Sequence, residues 1–174
     1  NEDGPNRLDN IVKSTLNLDE EILSGVTHVL VQGDTTSAFS LALVAFHRKI
    51  KVIHLEAGLR TNDLNNPYPE EFNRTSITSM AEVHLCPTNT AAFNLCICNP
   101  YVRNIHMVGN TVLDHLVGIK PTLGEFVLVT MHRRENHEKM NQWFKVINSI
   151  ARGEKLEHKG LSLVLPMHPN PNVK

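Results

Sequence analysis

Apolar residues recur at helical spacing through Leu8, Ile11, Val12, Leu16, Ile22 and Leu23, with a break near Asn17. The pattern predicts an opening helix that stops at Gly25, after a loop at Asn1 to Asn6. Val26 to Val31 is different: a β-branched run too short for a helix, predicting a buried strand. Gly33 ends it, and Asp34, Thr35 or Thr36 can cap the next helix by accepting from its free N–H groups. That helix, Ser37 to Arg48, is apolar nearly all round and should be well covered. Lys51 to Leu55 then predicts a second strand.

This strand–helix–strand unit has the length of a right-handed crossover, roughly 30 residues, which makes the strands parallel. Their C-termini share one edge, so Asp34 and Glu56 converge by topology although they are far apart in sequence. Residues 58–69 read as a loop over that edge. Pro69 suits the start of a helix from Glu70 to Met80, on which Glu70 and Arg74 share a face. A strand at Val83 to Cys86, a helix at Thr88 to Leu95 and a turn at Asn99-Pro100 follow. Next come a strand at Ile105 to Val108, a break at Gly109-Asn110-Thr111 and a helix at Val112 to Ile119. Pro121 to Gly124 interrupts the pattern, so residues 1–120 read as one α/β domain and 121–174 as the beginning of a second. The second part holds strands at Phe126 to Thr130 and Leu161 to Leu165 around a helix at Lys139 to Arg152. That is too little to close a core alone.

Four predicted strands are followed closely by an ionisable group: Asp34, Glu56, His132 and His168. Open α/β sheets bind ligands outside the strand C-termini, so two carboxylates are expected to face two histidines across an interdomain cleft. Each residue also has a plainer reading. Asp34 can be a helix cap, and Glu56 can be buried against Arg60. Glu70 and Arg74 can form a helical ion pair worth about 0.3–0.5 kcal/mol, which spacing alone favours. His132-Arg133-Arg134 can hold a diphosphate, with Arg offering two-pronged contacts, or be a solvated basic turn. His168 stands alone among prolines, and His54 is placed to help line the site.

Composition narrows the ligand. With 41% hydrophobic and 20% charged residues the chain of 174 is globular in character. A net charge of −1 and a pI near 6.9 give no field to attract nucleic acid or an anionic membrane, so an anionic ligand needs a local site. Three cysteines (Cys86, Cys96, Cys98) suit a reducing cytosol better than a disulfide scaffold. Cys96 and Cys98 are spaced too tightly for an ordinary zinc knuckle, and the histidines lack metal-binding spacing. No metal and no membrane span are expected.

Five segments taken in order carry a resemblance: Gln32-Gly33-Asp34-Thr35-Thr36, His54 to Thr61 (HLEAGLRT), Pro69 to Arg74 (PEEFNR), Gly109-Asn110-Thr111 and His132 to Asn136 (HRREN). Together with Pro166-Met167-His168-Pro169-Asn170-Pro171 they closely resemble the non-hydrolysing UDP-N-acetylglucosamine 2-epimerases. The resemblance implies an α/β fold of Rossmann-like parallel-sheet domains of the GT-B type, as in UDP-glycosyltransferases and glycogen phosphorylase. It implies reversible inversion at C2 of UDP-N-acetylglucosamine to give UDP-N-acetylmannosamine, by elimination of UDP and its re-addition. In that reading Asp34, Glu56 and Glu70 are the acid/base groups and His132 stabilises the UDP phosphates. Arg74 orients Glu70 or contacts ligand, Arg60 helps bind it, and Arg133 and His168 belong to a second UDP-sugar site. No cofactor, a cytoplasmic setting and a homodimer of the full-length protein are implied as well. The family's N-terminal strand with its phosphate loop and its C-terminal serine- and glycine-rich loop have no counterpart here, so the sequence reads as an internal portion of a longer enzyme. The competing expectations are a GT-B glycosyltransferase, a hydrolysing 2-epimerase and an inactive UDP-binding remnant.

Overall fold

Alternation of burial along the first strand shows which face of the sheet carries the helices. The computed structural model describes residues 6–122, 124–130, 139–152 and 162–166. The chain divides into two compact units, Asn1–Val117 and Gly118–Lys174.

In the first unit, helix α1 (Arg7–Leu16) ends at Asn17 and a 3-10 turn follows at Glu20–Leu23, so the predicted helix is broken where the apolar stripe breaks. Strand β1 (His28–Gln32), α2 (Thr36–His47), β2 (Lys51–Leu55), α3 (Glu70–Met80), β3 (Val83–Cys86), α4 (Asn89–Cys98) and β4 (Ile105–Met107) follow. The four strands are parallel in the order β1-β2-β3-β4, with Val31 opposite His54 and His54 opposite His84. Each crossover moves to the next neighbour in the same direction, so right-handed connections stack α2, α3 and α4 on one face. The core forms there: Val29, Val31 and Val52 pack against Ala38, Ala42 and Ala45 of α2 and Ile77 of α3. A smaller cluster joins Cys86 to Ala57 and to Ala91 and Leu95 of α4.

The expectation of a buried strand holds for one face only. β1 buries Val29 and Val31, but Leu30, on the opposite face, is 55% exposed because no described helix of this unit covers it. Burial is also uneven on α2, whose Phe46 is open while Ala42 and Ala45 are sealed. The helix expected at 112–119 is instead a shorter 3-10 helix, Thr111–Leu116, started by the Asn110 side chain accepting from Val112 N at 3.2 Å. Its apolar residues Val112, Leu113 and Leu116 stay exposed, so packing gives no reason for it to extend.

Loop residues 58–69 are pinned to α4 through Gly58. Its φ is +89°, and a β-carbon there would fall 2.1 Å from the Ala91 carbonyl oxygen. Only glycine allows this approach, which Asn94 Nδ2 seals by donating to Gly58 O at 3.0 Å. In the second unit β5 (Phe126–Leu128) and β6 (Ser162–Val164) are parallel, with α5 (Met140–Ala151) between them in sequence.

Candidate active site

At the C-terminal end of β1, Gly33 takes φ +71° and its N–H donates to Leu55 O at 2.9 Å, turning the chain along the sheet edge. The cap of α2 is Thr35, whose Oγ1 accepts from Ala38 N at 3.2 Å. Capping therefore does not occupy Asp34. Its Oδ2 lies 2.8 Å from Arg74 Nη2, and its backbone carbonyl accepts from Asn73 Nδ2 at 2.9 Å.

Glu56 follows β2 with φ +63°, a left-handed conformation that costs a non-glycine residue about 1–3 kcal/mol and persists only where neighbours enforce it. The neighbours here are backbone bonds on either side, Gly33 N to Leu55 O and Ala57 N to Leu85 O. The Glu56 carboxylate leans over Gly33: a β-carbon at Gly33 would lie 3.2 Å from Oε2. Gln32 Nε2 donates to the other oxygen at 3.1 Å. The plainer reading of Glu56, burial against Arg60, is not what forms. The positive-φ turn at Gly58 sends Arg60 toward α3, where it donates to Leu59 O at 2.7 Å and Thr78 Oγ1 at 2.8 Å. There it lines, with Asn62, Glu71, Thr75 and Cys98, a cavity of about 380 Å³.

Adjacent residues on a helix point about 100° apart, so Glu70 and Glu71 serve different neighbours. Glu71 is 1% exposed and saturated: it accepts from Thr61 N at 3.1 Å and Asn62 N at 3.0 Å, and Arg74 Nε lies 3.4 Å away. Glu70 keeps a buried Oε2 with no hydrogen-bond partner among the described residues. The helical Glu70–Arg74 ion pair favoured by spacing is replaced. Arg74 Nε donates to the Glu70 carbonyl at 3.3 Å, while its charge goes to Asp34 and Glu71.

Electrostatics tie three carboxylates together. Burial raises the proton affinity of Asp34, the Arg74 guanidinium opposes it, and the charges of Glu70 and Glu56 raise it further. The edge thus combines one carboxylate inclined to hold a proton, one with an unpartnered oxygen and one in a strained backbone position. His132, Arg133 and His168 lie outside the described residues.

Sequence reading missed Glu71, Asn73 and Gln32 as members of this network, and it missed His84. His54 and His84 are opposite one another on β2 and β3 and are 0% and 1% exposed. Strand alternation with the buried Val52 and Cys86 was the available signal. Neither ring nitrogen of His84 has a partner among the described residues, and burial lowers its pKa from 6.5 to about 4. The unfolded chain therefore binds more protons between these values, and His84 contributes stability above about pH 6.5 that is lost as pH falls toward 4. The loss amounts to about 3 kcal/mol. Urea midpoints of the wild-type chain should fall across this window, and His84→Leu should flatten the fall. Equal pH slopes for the two proteins would contradict the assignment.

A parallel α/β sheet with an acidic C-terminal edge, entered through a left-handed glycine turn, belongs to the class of Rossmann-like ligand-binding domains. A family model described as UDP-N-acetylglucosamine 2-epimerase matches residues 7–174, and the chain belongs to that family. It is 36% identical to the UDP-N-acetylglucosamine 2-epimerase of Salmonella borreze, over 96% of this chain and 49% of that protein. It is 39% identical to that of Bacillus subtilis, over 84% of this chain and 40% of that protein. Among solved structures it is similar to the S. aureus MnaA–UDP co-structure (TM-score 0.82, 33% identity, 95% of this chain and 48% of that one). It is also similar to the Neisseria meningitidis UDP-GlcNAc 2-epimerase bound to UDP-GlcNAc (TM-score 0.79, 33% identity, 95% and 48%). The fold is accordingly GT-B-like, and the chain spans about half the length of the relatives it matches.

Proposed function

We propose that this chain carries proton-transfer machinery of a non-hydrolysing UDP-N-acetylglucosamine 2-epimerase, an isomerase interconverting UDP-N-acetylglucosamine and UDP-N-acetylmannosamine. The observation that carries the reading is the meeting of Asp34, Glu56 and Glu70 at one sheet edge, with Asp34 biased toward protonation by its burial and, less, by the other two charges. Inversion at an unactivated sugar carbon requires removal of the C2 proton on one face and its return on the other, so at least two acid/base groups are needed. In the proposed step a carboxylate takes the C2 proton, the C2–H electron pair forms the C1–C2 double bond, and the C1–oxygen bond breaks to release UDP. Another carboxylate then protonates C2 from the opposite face as UDP returns to C1. Family likeness supports further assignments: His132 at the UDP phosphates, Arg74 holding the acidic edge, and Arg60, Arg133 and His168 contributing to binding. It also leads us to propose a homodimer, and three free cysteines suit a cytoplasmic setting.

A GT-B glycosyltransferase would need one base and an acceptor groove, which leaves the acidic cluster unexplained. Product analysis tests the rest. Incubation with UDP-N-acetylglucosamine should give UDP-N-acetylmannosamine with the nucleotide still attached. Free N-acetylmannosamine and UDP in equal amounts would instead establish a hydrolysing enzyme.

A further inference from the structure

Two consecutive carbonyls of the turn that carries Asp34 are each held by a side chain from a different element. Gly33 O lies 2.8 Å from His54 Nε2 on β2, and Asp34 O accepts from Asn73 Nδ2 on α3 at 2.9 Å. A carbonyl only accepts, so His54 must carry its proton on Nε2, which leaves Nδ1 as the unprotonated nitrogen of a neutral ring. That Nδ1 is buried with no hydrogen-bond partner among the described residues. An apolar residue would fill this core position without leaving a nitrogen unmet, so packing alone gives no reason for an imidazole. The bond to Gly33 O gives one. His54 also stands two residues before Glu56, and Asn73 stands between Glu70 and Arg74, so each clamp residue joins the Asp34 turn to another acidic element.

We propose that His54 and Asn73 are positioning residues, a two-point clamp that fixes the Asp34 carboxylate relative to Glu56 and Glu70; this rests on the acid/base reading given above. Burial lowers the His54 pKa and so favours the neutral ring with its proton on Nε2. Displacement of a reacting group by about 1 Å can cost about 10²-fold in rate, which sets the scale of the effect.

The test compares the wild-type chain with His54→Leu, His54→Gln and Asn73→Ala. Two quantities are read: carbon-13 titration of the Asp34 carboxyl and exchange of the substrate C2 proton. His54→Leu should shift the Asp34 midpoint and slow exchange about 10- to 100-fold, with KM changed less than about twofold. His54→Gln, whose Nε2 can reach the same carbonyl, should restore both. Asn73→Ala should shift both in the manner of His54→Leu and supplies the reading if the leucine variant does not fold. A folded His54→Leu with wild-type titration and rate would overturn the clamp, as would a glutamine variant no better than the leucine one. If the wild-type chain shows no exchange, the proposed activity of this chain fails, and the titrations alone decide the clamp.

Discussion

Arg74→Leu should cost the first unit about 3–5 kcal/mol, seen as a lower urea midpoint with an unchanged transition slope. Arg74 is 8% exposed and reaches two carboxylates, Asp34 Oδ2 at 2.8 Å and Glu71 Oε2 at 3.4 Å. Removing the guanidinium leaves the sealed Glu71 charge to the Thr61 and Asn62 N–H groups and the more distant Arg60. An unpaired buried charge accounts for most of the cost, so a double variant that also replaces Glu71 with leucine should be less destabilised than the sum of the single changes. Arg74→Lys keeps a charge but cannot present two prongs at once, and should fall between wild type and leucine. A midpoint unmoved by Arg74→Leu would show that the ion pairs do not hold the edge together.

Asp34→Asn should lower the rate of C2 exchange by about 10²–10⁴-fold while leaving the fold intact, because the amide keeps the shape and loses the proton-transfer chemistry. Glu56→Gln should do the same. The informative contrast is Thr35→Ala. Thr35 is the cap of α2, so its loss should cost about 1 kcal/mol of stability and little exchange. Capping and chemistry, both possible for Asp34 in the sequence, are thereby separated. Wild-type exchange in Asp34→Asn would remove Asp34 from the mechanism, whatever its stability.

Much of the edge was legible because strand and helix periods determine it. Lys51–Leu55, Glu70–Met80 and Val83–Cys86 fall where their patterns place them, and the crossover rule brings Asp34 beside Glu56 without further information. What the sequence could not give is the choice among equivalent partners. Asp34, Thr35 and Thr36 are all able to cap a helix, and in the fold Thr35 does so. Glu70 and Glu71 are neighbours of the same type, and only the loop folding back over α3 brings Thr61 and Asn62 N–H groups to Glu71. Arg74 has three acidic residues within reach, and spacing along one helix cannot register Asp34, which arrives from another strand. The exposed Leu30 face has the same origin: a β-branched run reports that a strand is apolar, while the sequence of crossovers decides which face is covered.

Proton transfer at carbon by these carboxylates is read directly by proton NMR of UDP-N-acetylglucosamine incubated with the chain in D2O. Loss of the C2 proton signal as deuterium enters, suppressed by Asp34→Asn, is the predicted result. Full retention of that proton with folded protein would contradict the claim that this chain carries the proton-transfer step.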